Sequence, residues 1–125
     1  MWTANRDDPP LVGDATLLFT TDGRLIVQQN QGQETPISTA SVFAASASML
    51  DSGDFVLLYS SSSIIWQTFD DPTDTILPGQ RLLTGHKLVS SVTETNHSTG
   101  KFHIFMQNDR NLVQYQVDLG VNAAS

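Results

Sequence analysis

Five residues near the C-terminus, each two positions from the next, carry side chains with complementary polar and apolar chemistry. They are Gln107, Asp109, Asn111, Val113 and Tyr115. Residues two apart on a β-strand share one face, so this spacing gathers two amides, a carboxylate, a phenol and a branched apolar group. Together these groups supply donors and acceptors for sugar hydroxyls, and an apolar contact for the C–H face of a ring.

A straight strand would spread these five side chains too far apart for one small ligand. Eight steps of roughly 3.3 Å span about 26 Å, which is several times a hexose. The intervening sequence Asn108-Asp109-Arg110-Asn111 favours a turn, and residues 102–106 and 112–115 have the composition of strands. We therefore predict a hairpin at Asp109-Arg110, with the candidate site across it.

Two earlier stretches repeat this pattern of a turn followed by alternating apolar residues. Asp22-Gly23 and Ser52-Gly53 predict hairpins. Aligned on the turns, the five positions hold Thr20, Asp22, Arg24, Ile26 and Gln28 in the first repeat, and Leu50, Ser52, Asp54, Val56 and Leu58 in the second. Because Leu50 and Leu58 cannot make the hydrogen bonds of Gln and Tyr, we expect at most one competent site.

Repeated hairpins that each bury one face need neighbours to close a core. Three of them, with no helical period in any window, predict an all-β, three-faced antiparallel barrel. A further hairpin is expected within residues 82–92, turning near Thr84-Gly85-His86. The expected core residues are Leu25, Val27, Phe55, Leu57, Trp66 and Leu112.

Length and charge narrow the classes of function. The chain has 125 residues, which predicts a single domain spanning residues 1–125. Six Lys and Arg against 13 Asp and Glu give a net charge of −7, which argues against nucleic acid and anionic membranes as partners. No apolar run approaches the roughly 20 residues of a membrane helix, and there is no Cys for a disulfide framework.

Catalytic and metal-binding patterns are absent from the sequence. His86, His97 and His103 lack a metal-ligand spacing. The acidic stretch at residues 70–74 lacks the Gly and the closing Glu of an EF-hand, so Asp70, Asp71 and Asp74 are interpreted as turn caps. There is no G-x-S-x-G elbow, Cys–His pair or phosphate loop. We expect no metal, no cofactor and no enzyme activity.

The five spaced residues match at every position the signature Q-x-D-x-N-x-V-x-Y of bulb-type (snowdrop-like, mannose-binding) lectins, which this chain therefore resembles. Two further segments are similar to hallmark segments of the lectin domain in plant S-locus glycoproteins and G-type lectin S-receptor-like serine/threonine kinases. They are residues 2–9 (WTANRDDP) and 66–80 (WQTFDDPTDTILPGQ). By the same resemblance, Trp2 and Trp66 are core residues rather than stacking platforms.

The resemblance implies a β-prism II barrel of three antiparallel sheets with pseudo-threefold symmetry, here shorter than the family domain at both ends. It implies a mannose-binding module from a cell-surface receptor-like protein, with the membrane segment and kinase domain outside this chain. Asp109 and Asn111 would bind the axial 2-hydroxyl of mannose, Gln107 and Tyr115 neighbouring hydroxyls, and Val113 the ring.

Partners and location follow from the same likeness. The expected partners are mannose-containing glycans or glycoproteins, with a homo-oligomer left open, and the expected location is extracellular or at the cell surface. The sequon Asn96-His97-Ser98 is consistent with secretion. The alternative function is a protein-interaction or structural module that keeps the fold and has lost useful sugar affinity.

Overall fold

The computed structural model describes residues 2–11, 13–29, 32–38, 43–60 and 63–117. Within these ranges the chain is all-β, with three antiparallel sheets of three strands each. The strands are β1 (Thr16–Phe19), β2 (Leu25–Gln28), β3 (Glu34–Pro36), β4 (Ser46–Met49), β5 (Phe55–Ser60), β6 (Ser63–Gln67), β7 (Lys87–Ser91), β8 (Thr99–Met106) and β9 (Leu112–Gln116). The all-β prediction and its three antiparallel sheets are confirmed.

The chain divides into two compact units, one of which is Pro9–Asp70. It holds the first sheet, ordered β1-β2-β3, and the second sheet, ordered β4-β5-β6. Leu25, Ala44 and Leu57 form its buried cluster. The partly buried residues packed on this cluster are Phe19, Ile37, Ala47, Phe55, Ile65 and Trp66. The prediction of burial is thus confirmed for Leu25 and Leu57, whereas Val27, Phe55 and Trp66 are half-buried.

The other unit joins Met1–Asp8 to Asp71–Ser125 and holds the third sheet, ordered β7-β8-β9. Two side chains attach the N-terminal segment to this sheet. The Arg6 guanidinium donates to the carbonyl oxygens of Val89, at 3.0 Å, and His97, at 2.9 Å. The Asp7 carboxylate accepts from the backbone N–H of Thr99 at 2.8 Å and from its hydroxyl at 2.7 Å.

All three predicted hairpins are present. The pairs β1–β2, β4–β5 and β8–β9 are antiparallel neighbours around Asp22-Gly23, Ser52-Gly53 and Asp109-Arg110. The hairpin predicted within residues 82–92 is wrong. A turn does occur there, with His86 N–H donating to Leu83 O at 2.9 Å, but the segment contributes one strand, β7, which pairs with β8 instead.

The predicted burial of Leu112 is also wrong, since this side chain is 58% exposed. Leu112 pairs with Met106 across the β8–β9 hairpin. Phe102, on the same face of β8 by alternation, is exposed too. Among the described residues of this unit, none covers that face of the third sheet around Leu112 and Phe102. Leu112 is therefore exposed, although the aligned residue of the first repeat, Leu25, is buried.

Candidate functional site

The signature residues lie on and beside a hairpin turn whose loop, residues 108–110, is closed by two backbone hydrogen bonds. Gln107 N–H donates to Asn111 O at 2.9 Å, and Arg110 N–H donates to Gln107 O at 2.9 Å. Arg110 has a φ of +73°. This is a three-residue hairpin loop with a left-handed third residue, one of the common hairpin geometries.

At this turn, two hydrogen bonds to the Asp109 carboxylate hold Asp109 and Asn111 together. The Asn111 backbone N–H donates to Asp109 Oδ1 at 3.0 Å, and its side-chain amide donates to Asp109 Oδ2 at 3.2 Å. Both residues are exposed. The arrangement orients a carboxylate and an amide toward the same side of the turn, where a ligand hydroxyl can reach both.

The strand register places the other three signature residues on one face. Val113 lies opposite Phe105, and Tyr115 lies opposite His103. Gln107 and Asn111 close the hairpin on the same alternation. Gln107 and Val113 are half-buried, while Tyr115 is 38% exposed. The hairpin therefore places all five residues on one face and its adjoining turn.

A sixth residue belongs to this face and was not singled out from the sequence. His103 is buried, its ring centroid lies 5.4 Å from that of Tyr115, and the planes are tilted by 50°. Within the described part of the chain neither ring nitrogen has a hydrogen-bond partner. Hairpin pairing symmetric about Asp109 sets residue 103 opposite residue 115, so the register was the available signal.

In the first repeat, the equivalent turn has the same backbone and different side-chain contacts. Thr20 N–H donates to Arg24 O at 2.8 Å, and Gly23 N–H to Thr20 O at 2.9 Å. The Thr20 hydroxyl donates to Asp22, and Arg24 Nε donates to Asp22 Oδ2 at 3.2 Å. The Thr20 hydrogen bond holds the pKa of the Asp22 carboxyl below its usual range. This carboxylate is thus occupied by its own turn.

In the second repeat, the acidic side chain points into the unit rather than out of it. Leu50 N–H donates to Asp54 O, and Gly53 N–H to Leu50 O, both at 2.9 Å. Asp54, which aligns with Asn111, is buried and accepts from the Thr68 hydroxyl at 3.2 Å and from Phe69 N–H at 3.1 Å. It stabilises the turn after β6.

The exposure of the residue aligned with Val113 also differs among the repeats. Its equivalents, Ile26 and Val56, are 2% and 1% exposed, so neither can contact a ligand without rearrangement. Val113 is only half-buried. Of the three hairpins, the one at β8–β9 alone combines an outward carboxylate–amide pair with a partly accessible apolar side chain.

No group of three His, Cys, Asp or Glu side chains that could hold a metal ion occurs in the part of the chain that the structure describes. Two of the three acidic residues of the 70–74 stretch accept hydrogen bonds from different donors. Asp70 accepts from the Gln67 amide at 3.2 Å, and Asp74 accepts from the hydroxyls of Thr75 and Ser91 at 2.8 and 2.7 Å. Searching the described residues for a helix long and apolar enough to cross a membrane finds none.

Comparison with protein families identifies the class. The model of the D-mannose binding lectin family matches residues 1–97, and the chain belongs to this family. The match covers the first two repeats and ends before the hairpin with the complete signature.

Among individual proteins, the chain is 41% identical over 128 residues to the G-type lectin S-receptor-like serine/threonine-protein kinase LECRK1 of Oryza sativa subsp. japonica, covering 94% of this chain and 15% of that protein. It is 38% identical over 120 residues to LECRK2 of the same subspecies, covering 92% and 14%. It is 34% identical over 98 residues to RLK1 of Arabidopsis thaliana, covering 75% and 12%.

The chain therefore spans about one seventh of the length of these relatives. The matched region is a lectin domain and not a catalytic domain.

Proposed function

We propose that the β8–β9 hairpin binds a terminal mannose residue, and that this chain is a carbohydrate-binding module. Asp109 accepts a hydrogen bond from the axial 2-hydroxyl, and Asn111 donates to it. Gln107 and Tyr115 reach neighbouring hydroxyls, while Val113 packs on the ring. An equatorial 2-hydroxyl, as in glucose, leaves Asp109 and Asn111 underpaired, so the site discriminates against it.

The observation that carries this proposal is the Asp109–Asn111 pair. Its two hydrogen bonds, at 3.0 and 3.2 Å, hold the carboxylate before any ligand arrives. A preorganised polar group loses less conformational freedom on binding, and an ionised acceptor makes a stronger hydrogen bond than a neutral one. The family to which the chain belongs is described as D-mannose binding, which supports the same ligand.

With a single, shallow site per chain, we expect weak binding of monosaccharides. A shallow surface site buries little area, so we expect a dissociation constant in the millimolar range, about 4 kcal/mol of binding free energy. Useful avidity then comes from several mannose termini on one branched glycan, or from several copies of the chain held close together in an oligomer or a receptor cluster.

The test compares retention on immobilised mannan in the presence of EDTA. Wild type should be retained, and Asp109→Ala should elute without retention. Asp22→Ala is the matched control, because it removes the aligned carboxylate of the first repeat, where Arg24 already occupies it. This control should behave as wild type.

Equal retention of Asp109→Ala and wild type would exclude the β8–β9 hairpin as the site. If wild type is not retained on any mannose glycan, the alternative is favoured. In that case the domain serves as a protein-interaction or structural module. Two observations favour a protein-interaction or structural module. Asp22 is hydrogen-bonded within its own turn and Asp54 is buried, so neither of these aligned positions in the first two repeats offers a free carboxylate to a ligand.

We further propose that the chain is the lectin part of a receptor-like kinase, which is what its relatives are named, and that this part is extracellular or at the cell surface. Asn96 is then an N-glycan acceptor. Its side chain is exposed, and its Oδ1 accepts from Ser98 N–H at 3.1 Å, which leaves the amide nitrogen outward. Secretion from a eukaryotic host should give a chain that loses mass on enzymatic deglycosylation, and Asn96→Gln should abolish that shift.

A further inference from the structure

A shallow cavity of about 300 Å³ lies at the beginning of β7. It is lined by Asp71, Pro72, Gly85, His86 and Lys87. None of these residues belongs to the lectin signature, and the proposed mannose contacts do not use them.

Backbone hydrogen bonds build both walls of this cavity. On one side, Gly85 N–H donates to Met106 O at 2.8 Å, and Met106 N–H donates to His86 O at 3.0 Å. These bonds fix residues 85 and 86 against the end of β8. On the other side, Val89 N–H donates to Thr73 O at 2.9 Å. This bond holds the segment containing Asp71 and Pro72 along the edge of β7 that does not pair with β8.

The cavity adjoins the turn that carries the signature. Lys87 lies opposite Phe105, which lies opposite Val113, so these three side chains share one face of the third sheet. At the turn itself, Asn108 Oδ1 lies 3.6 Å from the position that a Cβ on Gly85 would occupy. Asn108 is the neighbour of both Gln107 and Asp109. From β9 to β7 is two strand spacings, about 10 Å.

The lining has the chemistry of a sugar subsite. Asp71 offers a carboxylate acceptor, Lys87 an ammonium donor, and His86 a ring that can donate or accept, while Pro72 offers an apolar surface. The mixture of charges disfavours a strongly anionic or cationic ligand. The volume is at the lower end of small-molecule sites, which run from about 300 to 1,000 Å³, and this suits one sugar ring.

We infer that this cavity is a second subsite, which holds the sugar residue next to the terminal mannose in the same oligosaccharide. The inference rests on the proposed function of the β8–β9 hairpin. It makes Asp71 and Lys87 specificity-determining residues that favour a disaccharide over a single sugar.

The experiment is calorimetric titration of the whole chain with methyl α-mannoside and with α-linked mannobiose isomers. A disaccharide has one non-reducing terminus, so a statistical gain from many termini is avoided. At least one isomer should bind wild type about five-fold more tightly than methyl α-mannoside, as expected for one added hydrogen bond. Lys87→Ala and Asp71→Asn should lose this preference and keep the affinity for methyl α-mannoside.

Lys101→Ala is the matched control, because Lys101 is another exposed strand lysine of the same sheet, toward the far end of β8 from the turn. It should keep the preference for mannobiose. A preference that survives in both Lys87→Ala and Asp71→Asn, or that no isomer shows with wild type, would overturn the subsite and leave the hairpin site standing. Failure of wild type to bind methyl α-mannoside at all would overturn both.

Discussion

Asn111 donates twice to Asp109, from its backbone N–H at 3.0 Å and from its side-chain amide at 3.2 Å. The aligned residues Arg24 and Asp22 are also paired, with Arg24 Nε donating to Asp22 Oδ2 at 3.2 Å. In the first repeat the partner is a long cation that forms an ion pair with the carboxylate. In the third it is a short neutral amide, which leaves room for a ligand hydroxyl.

The first prediction follows from that pair. Asn111→Asp places two carboxylates side by side and removes the amide donor, so the like charges repel and the turn loses its outward geometry. Binding of methyl α-mannoside at pH 7 should become undetectable by calorimetry. Asn108→Asp makes the same charge change in the same turn, at a side chain whose oxygen lies toward Gly85 rather than at the hydrogen-bond partner of Asp109, and should retain binding. Loss in both variants would point to net charge rather than to the pair.

The second prediction concerns the left-handed residue in the signature turn. The equivalent positions are Gly23, Gly53 and Arg110, with φ values of +86°, +90° and +73°. A side chain in this conformation costs roughly 1–2 kcal/mol, partly offset by the greater freedom of Gly in the unfolded chain. Arg110→Gly should therefore stabilise by about 0.5–1 kcal/mol, measured as a higher urea midpoint. A lower midpoint would mean that the Arg110 side chain makes a stabilising contact.

The third prediction separates backbone strain from steric clash. A Cβ on Gly23 would lie 2.2 Å from Ala44 O, whereas a Cβ on Gly79 would meet nothing within 4 Å, although both have left-handed φ values. Gly79→Ala should cost about 1 kcal/mol for conformation alone. Gly23→Ala adds overpacking and should cost about 2–5 kcal/mol. Similar urea midpoints for the two variants would contradict the close approach of Gly23 to Ala44.

Much of the fold could be predicted from short turn sequences. Asp22-Gly23 and Ser52-Gly53 supply glycine at the position that needs a positive φ, so the first two hairpins were well determined locally. The third turn places Arg110 there instead, and Asn108 and Asp109 carried the signal. Strand β3 was missed because it is three residues long, polar, and ends in Pro36 at a sheet edge, where pairing with β2 decides the structure.

The sequence was enough to group the residues of the candidate site, but not to predict which other residues surround them. Period-two spacing and a turn were enough to group Gln107, Asp109 and Tyr115 with their signature partners. His103 and the cavity beside Lys87 depend on which strands pair with β8, and that pairing is not local. Leu112 was predicted to be buried by analogy with Leu25, but burial depends on what covers a face and not on the sequence of one hairpin.

The fourth prediction compares two leucines on aligned sheets. Leu57 is fully buried in the cluster of the Pro9–Asp70 unit, while Leu112 is 58% exposed. Leu57→Ala should cost about 2–5 kcal/mol, through lost burial and the cavity left behind. Leu112→Ala should change stability by less than about 0.5 kcal/mol. Both values come from urea unfolding followed by Trp fluorescence. A large loss for Leu112→Ala would show that its face is covered in solution.

The last prediction concerns stability in acid. Hydrogen bonds from Thr99, first from its backbone N–H and then from its hydroxyl, hold the pKa of the Asp7 carboxyl below its usual value of 3.8. Because the folded pKa lies below the unfolded one, ionised Asp7 contributes stability that is fully present above about pH 4 and is lost as pH falls through the folded pKa. Asp7 is almost fully exposed, so solvent screens the effect and keeps it small. Asp7→Asn should therefore have a lower urea midpoint than wild type at pH 7. The difference between the two midpoints should be smaller at pH 2.

Asp8→Asn changes an adjacent exposed carboxylate and serves as the control, whose urea midpoint should follow that of wild type from pH 7 to pH 2. A constant gap between Asp7→Asn and wild type from pH 7 to pH 2 would show that the ionised carboxylate is not what attaches the N-terminal segment to β8.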